Sequence, residues 1–136
     1  MSRSYLLLCR KSRILNVMQD SRKPPPELCT QFHHASELIG RRWTGAIIFV
    51  LLRARCRFAT LREAIPGVTD RMLVERLQEL EDEEIVERTV VPETPVRVEY
   101  SLTKKGRDLA KAFEAIGEWA HKWVEIDAPK RKRRAG

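Results

Sequence analysis

The chain from residue 27 to residue 65 contains three segments with different patterns of apolar and polar residues. Residues 27–39 have the composition of a short helix that ends near Gly40. Residues 43–52 are almost wholly apolar, so their periodicity leaves a buried strand and a buried helix as alternatives. Residues 58–65 return to helical spacing, and Pro66 with Gly67 then breaks the chain.

The clearest helix is predicted immediately after that break. Thr69 is a good N-cap residue because its hydroxyl can accept a hydrogen bond from the first turn. Three leucines then follow at i, i+4 and i+7 and form one apolar stripe, namely Leu73, Leu77 and Leu80. At about 100° per residue, a mixed polar face lies opposite the stripe within an arc of roughly 100°. Its members are Arg71, Val74, Glu75 and Gln78.

A hairpin and a last helix are predicted beyond residue 84. Residues 85–91 are rich in β-branched side chains, residues 96–102 alternate with period two, and residues 92–95 form a tight loop between them. Thr103 can cap one long final helix. The apolar stripe of that helix consists of Leu109, Ala112, Phe113, Ile116, Ala120 and Trp123, with Trp119 on its flank. The predicted order is helix, helix, helix, turn, helix, strand, strand, helix, a mainly α chain with a small β-hairpin, typical of a winged helix-turn-helix.

Charge separates the chain into three predicted segments. The formal net charge is +7. Residues 1–23 are a basic extension with a net charge of +5, and residues 127–136 are a basic tail with +4, which leaves −2 for a winged helix-turn-helix domain at 24–126. Inside that domain, residues 41–76 carry a net charge of +5, whereas residues 79–87 hold six acids and no base. This separation of charge is expected of a domain in which a basic edge contacts DNA and an acidic edge does not.

Other classes of protein find little support in the sequence. Three cysteines without a C-x-x-C pair argue against a disulfide framework, structural zinc or any other metal site, and they fit a reducing cytoplasm. The apolar run at residues 5–9 is shorter than the roughly 7–15 residues of a secretory core, and no run approaches the roughly 20 residues that span a bilayer. No catalytic motif occurs, so we expect neither enzymatic activity nor a cofactor.

About 86 residues, from 38 to 123, resemble the HxlR family of winged-helix regulators, which are relatives of the MarR group. The matching segments are residues 37–40 with Trp43 and Thr44, residues 57–62 and 65–69, Met72 and Leu73, residues 76–81, and above all residues 86–93 and 95–103 with Gly106 beyond them. The resemblance implies a homodimer joined through its first and last helices. It also implies that the helix after Thr69 enters the major groove, that the hairpin tip reaches the minor groove, and that a cysteine near the first helix senses electrophiles or oxidants in some members.

The chain departs from the pattern of that family in three respects. Arg41 and Arg42 stand where a glycine and a lysine are usual. Glu84 stands where a glycine commonly follows the recognition helix, which would cost about 1 kcal/mol if the position is left-handed. Cys29 is followed by threonine instead of proline, and its spacing to the glycine is one residue longer.

The candidate base-reading residues are Thr69, Arg71, Val74, Glu75 and Gln78. Arginine pairs well with guanine, glutamine with adenine, and glutamate can accept a hydrogen bond from cytosine. The alternative is a solvated helix face with an Arg71–Glu75 ion pair. Candidate phosphate and wing contacts, each also explicable as a surface charge, are Arg57, Arg62, Arg76 and Arg97.

Cys29 is the candidate redox sensor, because His33 and His34 could favour its thiolate; the alternative is a small buried residue. Cys56 lies among arginines and is a second candidate for reactivity. A dimer interface is expected at Phe113, Ile116, Trp119 and Trp123, in preference to a ligand pocket.

The predicted function is a sequence-specific, homodimeric transcription regulator that binds double-stranded DNA at a pseudo-palindromic operator in the cytoplasm and responds to an oxidant, an electrophile or a small ligand. The alternative is a winged-helix module for protein interaction without specific DNA binding.

Overall fold

The computed structural model describes residues 27–126, so the two predicted basic segments, residues 1–23 and 127–136, lie outside the described residues. The elements in chain order are α1 Thr30–Gly40, α2 Thr44–Leu51, β1 Cys56–Arg57, α3 Phe58–Ala64, α4 Asp70–Asp82, β2 Val86–Val91, β3 Arg97–Leu102, α5 Lys104–Arg107 and α6 Ala110–Trp123. The chain divides into two units after Gly45. A mainly helical winged helix-turn-helix is confirmed.

The first unit holds α1 and the turn that leads into α2. The predicted helix at residues 27–39 is confirmed, although it begins at Thr30 and none of its residues is buried. Trp43 takes a φ of 76°, which is unusual for a bulky residue. The guanidinium carbon of Arg42 lies 4.6 Å from the centroid of the Trp43 ring, so the two residues also form a cation–π contact.

The apolar block at residues 43–52 forms a helix, α2, which decides between the two alternatives left open by its periodicity. Its buried residues in the second unit are Ile47, Ile48 and Leu51. The predicted stripe of α4 is buried as well, and Leu61, Val86 and Leu102 are among the other residues in the interior of this unit. Each fully buried leucine or isoleucine contributes roughly 1.5–3 kcal/mol relative to an exposed one, so this interior fixes the orientation of α4.

Three antiparallel strands form a sheet with the order β1-β3-β2. The predicted hairpin is confirmed, with Val86 opposite Leu102 and Val91 opposite Arg97. Sequence analysis missed β1, whose two residues pair with Tyr100 and Glu99. A two-residue strand carries no periodicity, and it exists only because β3 offers it backbone hydrogen-bond partners.

Helix α4 ends in a left-handed residue, and that residue is Glu84, with a φ of 56°. The amide of Ile85 donates to the carbonyl of Leu80 at 2.9 Å, and the amide of Glu84 donates to that of Glu81 at 2.9 Å. These two bonds are those of a Schellman motif, in which glycine is the usual residue at this position. The left-handed backbone conformation that was expected to strain a residue other than glycine is therefore present at Glu84.

The predicted single final helix is wrong, because the structure contains two helices there. The hydroxyl of Thr103 accepts a hydrogen bond from the amide of Gly106 at 3.1 Å and caps α5. Leu109 then donates to the carbonyl of Gly106 at 3.2 Å, an i to i−3 bond that tightens the helix before α6 begins. Asp108 and Leu109 both keep right-handed helical backbone angles, so the chain changes its hydrogen-bonding pattern without an extended break.

Candidate nucleic-acid interface

Helices α3 and α4 form the helix-turn-helix pair, joined by residues 65–69. Ile65 and Val68 are buried and anchor this turn, and Gly67 provides a φ of 85° that a side chain would disfavour. The predicted N-cap is confirmed, because the hydroxyl of Thr69 accepts a hydrogen bond from the amide of Met72 at 3.3 Å. The turn thus fixes where α4 begins and which of its faces meets the interior.

The outward face of α4 brings together the residues that the sequence placed there, and we call it the recognition face: Arg71, Val74, Glu75 and Gln78. All four are exposed, and the Arg71 side chain is 87% exposed. Arg71 Nε lies 3.0 Å from Glu75 Oε1, and Gln78 Nε2 donates to Asp82 Oδ1 at 3.0 Å. Both polar contacts are made within α4, so they leave the outer surface of the recognition face accessible to a ligand.

The candidate phosphate contacts differ in their surroundings. Arg57 is exposed where β1 meets α3. Arg62 Nε lies 3.0 Å from Asp70 Oδ1, an exposed ion pair that links α3 to the first turn of α4. Arg76 does not join the recognition face, because its side chain is only 16% exposed and is paired with Glu79. The Nε atom of Arg76 is buried without a hydrogen-bond partner.

The wing, which consists of β2, β3 and their loop, holds Arg97 between two carboxylates. Arg97 Nη1 lies 3.2 Å from Glu93 Oε2, and its Nε lies 3.1 Å from Glu99 Oε1. Glu99 is also 3.8 Å from Arg55. The sequence did not single out Glu99 as a partner of Arg97, although the two residues are two positions apart on β3 and therefore share a face. The charge of Arg97, whose side chain is 30% exposed, is thus largely compensated in the protein without DNA.

A surface cavity of about 400 Å³ lies between the start of α3 and the wing loop. Arg57 and Phe58 line one side, and Glu93, Pro95 and Arg97 line the other. No sequence pattern indicated this cavity, because its walls are separated by more than thirty residues along the chain.

The two described cysteines lie in contrasting environments. Cys29 is partly exposed at the N-cap position of α1, and its thiol donates to Gln31 Oε1 at 3.2 Å. Cys56 is buried, and its thiol donates to the carbonyl of Ala54 at 3.4 Å. Burial raises the pKa of the Cys56 thiol, which disfavours the reactive thiolate there. The expectation of reactivity at Cys56 is therefore not supported by its surroundings.

Helix α6 presents large apolar residues to the surface. Ile116, Trp119 and Trp123 are exposed on one face, and Phe113 is half-buried. A face with two exposed tryptophans exceeds the scattered apolar residues of an ordinary surface and is typical of an interaction site.

Residues 27–126 offer neither a membrane-spanning helix nor a metal-binding cluster. No helix in this range is long and apolar enough to cross a membrane. The same residues contain no group of three or more His, Cys, Asp or Glu side chains placed to hold a metal ion.

Comparison with known proteins places this geometry in a family. The profile described as HxlR-like helix-turn-helix matches residues 38–128. The Bacillus subtilis protein described as the uncharacterized HTH-type transcriptional regulator YvaP is 46% identical over 99 residues, which cover 73% of this chain and 92% of YvaP.

Solved structures agree with the sequence comparison. The reduced form of the transcriptional regulator YodB from B. subtilis is 46% identical and superposes with a TM-score of 0.66, covering 73% of this chain and 97% of YodB. The oxidised form of the redox regulator HypR is 33% identical, with a TM-score of 0.67, covering 71% of this chain and 99% of HypR. These relatives support DNA-binding regulation over a protein-interaction module. The chain belongs to the HxlR-like helix-turn-helix family and is a DNA-binding transcription regulator.

Proposed function

We propose that the protein acts in the cytoplasm, without catalytic activity, as a homodimer that binds a two-fold symmetric operator and places α4 of each protomer in the major groove. The observation that carries this proposal is the recognition face, in which polar and apolar side chains are exposed together on a helix that the interior holds in place. The first half of a recognition helix usually contacts base edges, and Arg71, Val74 and Glu75 lie there.

Phosphate contacts position such a domain without reading sequence. Arg57 is exposed at the start of α3 and Arg62 in its last turn, and Arg97 of the wing lines the same cavity as Arg57. The Arg62–Asp70 and Arg97–Glu93 pairs are partly open to water, so a DNA phosphate can replace these carboxylates at low cost, whereas the Arg97–Glu99 pair is more enclosed. Arg76 contributes less in this proposal, because its side chain is mostly buried against Glu79.

Helix α6 supplies the proposed interface between protomers. Two tryptophans and an isoleucine would leave water when two copies of this face meet, and each aromatic side chain can bury roughly 150–250 Å². Leu28 and Phe32 are exposed at and before α1, which the family resemblance also assigns to the interface. A dimer of this kind reads two half-sites and requires an operator with matching symmetry.

The relatives described as reduced and oxidised regulators favour a thiol-based response. Cys29 is the described cysteine whose exposure suits reaction with an oxidant or an electrophile, whereas Cys56 is buried. We therefore propose that the protein responds to an oxidant, an electrophile or a small ligand, and that Cys29 is the sensing residue.

Selection of bound sites from random duplex DNA tests the proposal. The full chain should enrich an inverted repeat whose half-sites are about one helical turn apart, or a multiple of that distance. Arg71→Ala should then lose about 1–3 kcal/mol of binding free energy at the selected site and relax specificity at one base pair per half-site. Lys111→Ala removes an equal charge from the exposed surface of α6 and should keep the specificity.

Two results would count against the proposal. Enrichment of no sequence, with equal affinity for all duplexes, would contradict specific binding. An Arg71→Ala variant with a wild-type footprint would remove Arg71 from the base-reading residues.

A further inference from the structure

Val74 is an apolar residue exposed among the polar side chains of the recognition face. It is 55% exposed, whereas its neighbour Leu73 is fully buried. A β-branched residue also has a lower helix propensity than alanine or leucine. Neither the interior packing nor the stability of α4 therefore explains a valine here, and an external apolar partner would.

The polar members of the recognition face already hold intrahelical partners. Arg71 is paired with Glu75, and Gln78 donates a hydrogen bond to Asp82. Each must exchange that contact for a base edge, which reduces the net gain from its new hydrogen bond. Val74 has no such contact to give up, so an apolar group that covers it contributes its full hydrophobic gain.

One standard base offers an apolar group in the major groove, and that base is thymine with its C5 methyl group. Val74 is the fifth residue of α4, within the half of a recognition helix that contacts base edges. We propose that Val74 recognises thymine through this methyl group, so that each operator half-site contains a thymine whose methyl packs on the valine side chain. This inference rests on the proposed function, in which α4 enters the major groove.

Replacement of thymine by deoxyuridine isolates the contact, because uracil keeps every hydrogen-bonding group of thymine and lacks only the methyl. Operators recovered by site selection are synthesised with each thymine replaced in turn, and the affinity of the full chain is measured by fluorescence anisotropy at one fixed salt concentration. One thymine per half-site should show about a fourfold loss of affinity, the value for one methyl group removed from an apolar contact.

Variants of the protein assign that loss to a residue. With Val74→Ala, the difference in affinity between the thymine and uracil operators should shrink at this position, because the shorter side chain covers less of the methyl group. Gln78→Ala should keep the fourfold difference although its overall affinity falls. Val90→Ala removes a valine of similar exposure, 49%, from the wing and should keep the difference as well, because thymine methyl groups lie in the major groove. Circular dichroism with thermal unfolding verifies that each variant folds.

The outcomes separate this inference from the proposed function. Enrichment of a specific site whose affinity depends on no thymine methyl would overturn the inference and leave the proposed function intact. A methyl dependence that is undiminished in Val74→Ala would also overturn it, because another residue would then make the contact. A chain that enriches no site would overturn the proposed function and the inference together.

Discussion

Glycine at position 84 should stabilise the protein, because the backbone there already has the conformation that glycine prefers. Glu84 has a φ of 56° and closes the Schellman motif at the end of α4. A residue with a Cβ loses about 1–2 kcal/mol in the left-handed region. The additional freedom of glycine in the unfolded chain offsets about 0.4–1 kcal/mol of that relief. The net expectation for Glu84→Gly is a gain of about 0.5–1 kcal/mol in the free energy of unfolding.

The surroundings of Glu84 allow this substitution without other losses. Its side chain is exposed, and its described hydrogen bonds are made by the backbone, since its carbonyl accepts from the hydroxyl of Thr103 at 2.6 Å. Glycine retains that carbonyl and the amide that donates to Glu81. The substitution also removes one negative charge from the acidic segment at residues 79–87, and this second effect needs its own control.

Urea unfolding at one fixed protein concentration measures the effect, since dimerisation would make stability depend on concentration. Glu84→Ala removes the same charge but keeps a Cβ, so the difference between the glycine and alanine variants reports the backbone conformation. Glu83→Gly makes the same chemical change one residue earlier, where φ is −82°, and should destabilise by about 0.5–1 kcal/mol. The reasoning is refuted if Glu84→Gly is no more stable than Glu84→Ala.

Three further substitutions test other parts of the structure. Gly106→Ala should lower the free energy of unfolding by about 1–3 kcal/mol in urea, because a Cβ would collide with the carbonyl oxygen of Ile85. Gly117 has open space around it, so Gly117→Ala should be neutral or stabilising, and equal effects of the two substitutions would disprove the close approach at Gly106. Glu93→Gln should remove one of the two carboxylates that compete with DNA for Arg97 and raise the affinity for the operator by about 0.2–1 kcal/mol, and this gain should disappear when Arg97→Ala is also present; an unchanged affinity in the single variant would mean that the Arg97–Glu93 pair does not compete with DNA. The thiol oxidant diamide should alter operator binding, measured by gel shift, in the wild type and in Cys56→Ser but not in Cys29→Ser. A response that is retained in Cys29→Ser would show that another residue is the sensor.

Local sequence signals were sufficient for the helix-turn-helix and for the hairpin. The leucine stripe of α4, the Thr69 cap and the Pro66-Gly67 turn all act within a few residues, so their physical consequences can be deduced from spacing. The alternation in β3 likewise predicts a strand from its own residues. The same spacing placed the four residues of the recognition face on one side of α4.

Other features depended on contacts between distant residues. The apolar block of α2 could have been strand or helix, because its burial removes the amphipathic pattern that distinguishes them. The environment of Arg76 was not foreseen, since helical spacing does not reveal how deeply a flanking side chain is buried. The sequence also did not predict that the last helix is divided in two, because Thr103 caps a four-residue helix before the backbone hydrogen-bonding pattern changes.

The sequence by itself determined the helix-turn-helix and the hairpin, where α4 begins, and which side chains it exposes, because capping and periodicity act within a few residues along the chain. Only the tertiary structure decided that β1 pairs with β3, that Arg97 lies between Glu93 and Glu99, and that Glu84 is left-handed. The first two depend on strand pairing and loop closure, and the third on the path from α4 into β2. Residues far apart in sequence, or fixed by the packing of two elements, set these features, and no local pattern records such contacts.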